Sequence, residues 1–145
     1  MVEKRILGLD VGDKTIGIAV TDPMGWTVQP VTTLQRKNLK QTLDDLFQFI
    51  QEYDIQEIVL GLPLDISGAE GPQAQKVRLF ERQLHNFLQK KHCNLSVVAW
   101  DESFSTQEVE EVLIAVDMSR KKRKNIVDKL AAQRILQSYL ESLTK

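Results

Sequence analysis

Three acidic residues, Asp10, Glu102 and Asp128, stand where a carboxylate gains little for stability and could do chemistry. Asp10 closes the apolar run Ile6-Leu7-Gly8-Leu9 and is followed by Val11-Gly12-Asp13-Lys14 and a second apolar run, Ile16 to Val20. An acid at the lip of a buried strand is costly to desolvate unless a cation, a base or a hydrogen-bond donor accompanies it. Asp128 shares one helical face with Ala131, Ala132, Ile135 and Tyr139. Favourable interaction with a helix macrodipole explains an acid in a first turn, but not one directed along the core face. The two alanines below it would let such a helix approach a sheet closely and deliver the carboxylate towards a strand end. Asp101 and Glu102 close another strand-like segment, and successive strand residues point to opposite faces, so at most one of them meets Asp10. The longer side chain favours Glu102, with Asp101 as the alternative.

The set contains only oxygen donors. His85 and His92 fall on or just beyond a helix and suit surface or packing roles, and Cys93, the single cysteine, lies in a polar stretch and fits a reducing compartment. Hard carboxylate ligands select Mg²⁺ or Mn²⁺ over Zn²⁺. Two such ions about 4 Å apart can activate water and stabilise the leaving oxygen of a phosphodiester. Without an ion the acids repel one another, so metal is expected to stabilise the fold. Other segments suit a phosphate substrate. Lys14 follows the Asp10 turn, and Gly71-Pro72 leads into a helix N-terminus, whose free N–H groups attract anions. Arg120, Lys121, Lys122, Arg123 and Lys124 form an unbroken basic run in a chain whose formal net charge is −1. Cations ahead of a helix oppose its dipole, so the run is expected to be a mobile loop that lies along a nucleic-acid backbone.

The elements that must position these groups follow from periodicity. Segments 5–10 and 15–21 are predicted strands joined by a short turn, with Gly12 supplying a permissive backbone. Segment 27–34 is a third strand, which Pro30 assigns to an edge. Asn38 caps a helix carrying Leu39, Leu43, Leu46, Phe47 and Ile50 at helical spacing. Ile58-Val59-Leu60 is a short strand covered on both faces. Pro72 opens a second helix with Val77, Phe80, Leu84, Phe87 and Leu88 on its core stripe. Leu95 to Trp100 is a further strand, Ser105 with Glu108 forms a capping box for a helix bearing Val109, Val112, Leu113 and Val116, and a last helix covers 126–143. This order predicts one α/β domain over residues 1–145: a three-stranded meander extended by parallel strands through crossover helices. No segment has the roughly 20 apolar residues of a membrane span, and the N-terminus lacks a signal-peptide pattern.

Leu9-Asp10-Val11-Gly12 with Ile16 to Asp22, Gly61-Leu62-Pro63-Leu64 with Gly68, Glu70-Gly71-Pro72 and Gln75, Asp101-Glu102-Ser103, and Asp128-Lys129-Leu130-Ala131-Ala132 together resemble the YqgF (RuvX) family, in the family's order and across nearly the whole chain. The resemblance implies a ribonuclease H-like fold of the RuvC resolvase type, with a mixed five-stranded sheet flanked by helices. It implies a nuclease that matures the 5′ end of pre-16S rRNA in the bacterial cytoplasm, on ribosomal precursor particles, or a Holliday junction resolvase on branched DNA. It also implies that Asp10, Glu102 and Asp128 are the metal-binding acids. Two positions depart from the family pattern: a basic residue is usual where Thr15 stands, and an arginine where Ser103 stands.

Two other functions fit parts of the chain. A phosphotransferase of the actin or sugar-kinase type also opens on an Asp-x-Gly turn, but needs two such domains around a cleft. A non-catalytic nucleic-acid-binding module would not need three acids. The sequence leaves monomer or homodimer open, with a symmetric dimer favoured by a junction-resolving role.

Overall fold

The computed structural model describes residues 4–64, 67–101 and 120–143, and for 120–125 the backbone alone. Five strands, β1 (Ile6–Val11), β2 (Thr15–Thr21), β3 (Val28–Gln35), β4 (Glu57–Leu62) and β5 (Ser96–Asp101), form one sheet in the order β3-β2-β1-β4-β5. The first three pair antiparallel, and β4 and β5 extend the sheet parallel to β1. Helix α1 (Leu39–Glu52) precedes β4, α2 (Pro72–Lys90) precedes β5, and α3 (Arg120–Leu143) closes the described chain. The carboxyl ends of β1, β4 and β5 therefore lie together at one end of the sheet.

Local signals account for most boundaries. The Asn38 side chain accepts a hydrogen bond from the Gln41 N–H, capping α1, and Pro72 occupies the start of α2 behind Gly71. Every residue of β4 is buried, as its continuous apolar run predicts. Pro30, which has no N–H to donate, sits on edge strand β3 beside a register shift: Ile18 pairs with Thr32, but Ala19 pairs with Pro30.

Side-chain alternation divides the sheet into two unlike faces. Leu7, Leu9, Ile16, Ile18, Ile58 and Leu60 form one core with the apolar stripes of α1 and α2, including Leu46, Phe80 and Leu84. The other face offers Ile6, Ala19 and Val59 to Ala132, Ile135, Leu136 and Leu140 of α3. On this second face β1 also carries Gly8, and β2 carries Gly17. A Cβ on Gly8 would come within 2.8 Å of the Leu136 Cβ and 3.2 Å of the Ala132 carbonyl oxygen, and one on Gly17 would overlap the Asp128 backbone carbonyl. The helix thus rests directly on bare strand backbone. Its C-terminal half is fixed by polar contacts: Trp100 Nε1 donates to Ser138 Oγ at 3.2 Å, and the Tyr139 hydroxyl donates to Glu57 Oε1 at 3.0 Å. Burial, and then the Glu57 carboxylate, push the Tyr139 phenol up to about 12, so it remains a donor at neutral pH.

Two expectations are corrected. The basic run 120–124 is not a loop ahead of the last helix; it forms the first turns of α3, which starts at Arg120 rather than near 126. Lysine and arginine are good helix formers, and this intrinsic preference outweighs the unfavourable dipole term. Gly12 does not supply a left-handed turn: the positive-φ glycines among the described residues are Gly25 and Gly68. It is needed for space, because a Cβ there would press to 3.0 Å on the Thr15 carbonyl oxygen that its own N–H bonds at 2.8 Å. The helix expected after Ser105 lies outside the described residues.

Gly17→Ala is expected to force α3 off the sheet and to lower unfolding free energy by about 3 kcal/mol or more, the upper end for overpacking. Urea denaturation checks this, and Ala19→Gly on the same strand serves as the cavity-forming comparison.

Candidate active site

Asp10 and Asp128 meet through Gly17. Asp10 on β1 is the register partner of Gly17 on β2, so their α-carbons are roughly 5 Å apart, and Gly17 abuts the Asp128 backbone. Cross-strand partners share a face, which places Asp10 on the α3 side of the sheet. Asp10 is half-buried and Asp128 is 9% exposed. The buried Thr15 hydroxyl donates to Asp128 Oδ2 at 2.6 Å, a length typical of a bond to a charged acceptor. Thr15 lies two residues before Gly17 and so faces α3 as well. Its bond holds the Asp128 carboxylate in one orientation at the strand end.

The turn that carries Asp10 is braced from outside. The Arg36 N–H donates to the Lys14 carbonyl at 2.8 Å, and Arg36 Nη1 donates to the Gly12 carbonyl at 2.7 Å. The same guanidinium stands 5.1 Å from the centre of the Phe80 ring. Lys14 is exposed at this turn, and the neighbouring Asp13 pairs with Lys76 at 3.2 Å.

The choice between Asp101 and Glu102 gains a geometric argument. Asp101 pairs with Leu62, and Val97 and Ala99 pack in the α1–α2 core while Val98 and Trp100 pack against α3. Alternation therefore puts exposed Asp101 on the face opposite Asp10 and Asp128. Glu102 itself lies outside the described residues. Among the described residues no group of three or more acidic, histidine or cysteine side chains gathers; Asp10 and Asp128 are related through Gly17, the register partner of one and the backbone neighbour of the other. The backbone of 120–124 continues α3 beyond Asp128; the side chains of Arg120, Lys121, Lys122, Arg123 and Lys124 are outside the described set. His85 is on α2 and His92 just after it, and Cys93 is half-buried, all apart from the acids in the chain fold. Gly17 and Arg36 are the site residues that sequence reasoning missed, together with the bond from Thr15, which it had noted only as a departure from the family pattern. The signal was present for Gly17 and Thr15: a short turn after Asp10 pairs it with a β2 residue, and Thr15 alternates in phase with Gly17.

A mixed sheet in this order, with helices on both faces, is the ribonuclease H-like fold of RuvC-type resolvases. The crystal structure of the Fowlpox virus resolvase with Holliday junction DNA matches with a TM-score of 0.58 at 14% identity, covering 97% of this chain and 99% of that one. Thermus thermophilus RuvC in complex with a Holliday junction substrate matches with a TM-score of 0.58 at 11% identity, over 97% and 96% of the two chains. These likenesses establish the fold. The RuvX family model, described as Holliday junction resolvase, matches residues 4–142, and the chain belongs to that family. A relative from Syntrophomonas wolfei, named "Putative pre-16S rRNA nuclease", is 48% identical over 94% of both chains.

Thr15→Val keeps the side-chain shape but leaves a buried carboxylate without this donor, a change worth about 1–3 kcal/mol. Thermal unfolding is expected to show that loss for Thr15→Val and recovery of most of it in Thr15→Ser; equal midpoints for the valine variant and the wild type would remove Thr15 from the site.

Proposed function

We propose that the protein is a divalent-metal-dependent endonuclease that hydrolyses phosphodiester bonds in structured RNA, maturing the 5′ end of pre-16S rRNA in the cytoplasm with Mg²⁺ or Mn²⁺. The observation that carries this reading is the convergence of Asp10 and Asp128 on one face at the carboxyl ends of the parallel strands, where ligands of open α/β sheets gather. Carboxylates gathered at one strand end, one of them nearly buried, are favoured by a cation placed between them. Their hard oxygen donors fit Mg²⁺ or Mn²⁺ and leave no soft ligand to favour zinc. When bound, the ions would offset the charge of the phosphodiester transition state and activate the attacking water.

The chain's own residues divide the remaining work. Asp10 and Asp128 hold the ion, and Glu102 is the third acid, supported by the opposite facing of Asp101. Thr15 keeps Asp128 from rotating away from the strand end. Lys14 and the cations at 120–124 draw the nucleic-acid backbone to the acids. RNA is favoured over branched DNA because the relative named for pre-16S rRNA is nearly half identical, whereas the junction-binding structures share only the fold.

Asp10→Asn and Asp128→Asn are each expected to cut cleavage of precursor rRNA by more than roughly a hundredfold while leaving the circular dichroism spectrum unchanged. Mn²⁺ at about 100 times its Kd should stabilise the wild type by about 2.7 kcal/mol and stabilise the Asn variants far less. A wild-type protein that cleaves neither precursor rRNA nor a four-way junction with either ion overturns the proposal.

A further inference from the structure

Beyond Lys14, four cations gather at the same end of the sheet: Arg36, Lys37, Lys40 and Lys76. We propose that they continue from Lys14 as one phosphate-tracking ridge, which carries the backbone of an RNA stem away from the acids across the α1–α2 side. This rests on the nuclease reading and extends it to how the substrate lies.

Contacts and chain order place these residues along one surface. Arg36 bonds the carbonyls of Gly12 and Lys14, so the end of β3 is fastened to the Asp10 turn. Lys37 follows directly, its N–H bonding Thr42 Oγ1 at 3.3 Å, and Lys40 stands in the first turn of α1 behind the Asn38 cap. Lys76 reaches from α2 to Asp13, next to Lys14. Lys14, Lys37, Lys40 and Lys76 are exposed, while Arg36 is half-buried with its guanidinium over Phe80. The acids at this end are Asp13, paired with Lys76, Asp44 and Asp45 a turn further along α1, where Asp45 accepts from Gln41, Glu70 ahead of α2, paired with Arg78, and exposed Asp101 at the far edge on β5.

Helix stability does not explain this placement. Both α1 and α2 begin at this end, and neither has an acid in its first turn. Each instead puts a lysine within its first five residues, where cations oppose the positive end of the dipole. Two helix N-termini and these side chains concentrate positive charge on this part of the surface, in a chain of net charge −1. On the opposite side of the sheet, α3 runs eight residues beyond Asp128 to Arg120, about 12 Å of helix carrying the basic run. The acids are flanked by cationic segments on both sides. A polyanion crossing the strand ends fits this arrangement, and a small anionic substrate would use only part of it.

The test is binding of a fluorescein-labelled RNA hairpin, read by anisotropy across a salt series in Ca²⁺, so that cleavage does not enter. Lys37→Gln/Lys40→Gln is expected to weaken binding about tenfold and to lower the slope of log affinity against log salt by about 1.5. Lys4→Gln/Lys90→Gln removes the same charge at the opposite end and should change affinity less than about twofold. Equal weakening by the two variants, or none in the first, overturns the ridge and leaves the nuclease reading to its own cleavage assay. A wild type that does not bind the hairpin overturns the ridge as well. If the first double variant lowers the unfolding midpoint, the single variants Lys37→Gln and Lys40→Gln carry the comparison, each with about half the slope change.

Discussion

Contact between the backbone of α3 and the bare strands at Gly8 and Gly17 is the constraint on which the rest of this structure depends. A side chain at either position would hold the helix away from the sheet. With hydrogen there instead, the Asp128 carbonyl settles against β2 and its carboxylate comes within reach of both Thr15 and the strand that bears Asp10. The alanines of the helix are the second half of the same fit, because Ala132 is fully buried over Gly8. Small residues face one another across the interface, and the approach they permit turns two acids 118 positions apart in the chain into neighbours.

The two faces of the sheet carry different burdens. The α1–α2 face is mostly apolar, with Thr42 its buried polar residue on α1, and supplies most of the hydrophobic burial. The α3 face buries less and contains the groups whose burial is costly: Asp128 and Thr15 at one end, Glu57 with Tyr139 at the other. Each buried acid has a hydroxyl donor, which reduces the desolvation penalty without introducing a neutralising charge. At the Glu57 end the pair anchors the helix. At the Asp128 end it orients the carboxylate at the strand end, where the proposed cation would be held.

Much of this was legible in the chain itself. Short apolar and β-branched runs located the five strands to within one or two positions, Pro30 marked the edge, and Asn38 and Pro72 marked two helix starts. Asp10 and Asp128 stood out because an acid on a buried face demands a reason. What stayed hidden depended on contacts between distant segments. Nothing local indicates that Gly17 is needed by residue 128 rather than by its own strand, or that Thr15, a departure from the family pattern, bonds the last-helix acid. The start of α3 was misplaced because a dense run of like charges resembles a solvated loop, while its lysines and arginines individually favour helix. Asp101 and Glu102 could be ranked by reach, but the facing of Asp101 became clear only when Val97, Val98, Ala99 and Trp100 were assigned to their cores.

The central claim is that Asp10 and Asp128 share a divalent cation. Anomalous diffraction from a crystal of the wild-type protein soaked in Mn²⁺ tests it most directly. A manganese peak coordinated by carboxylate oxygens of both residues is expected. A manganese ion bound elsewhere with this pair left unliganded, or no peak at saturating ion, would contradict it.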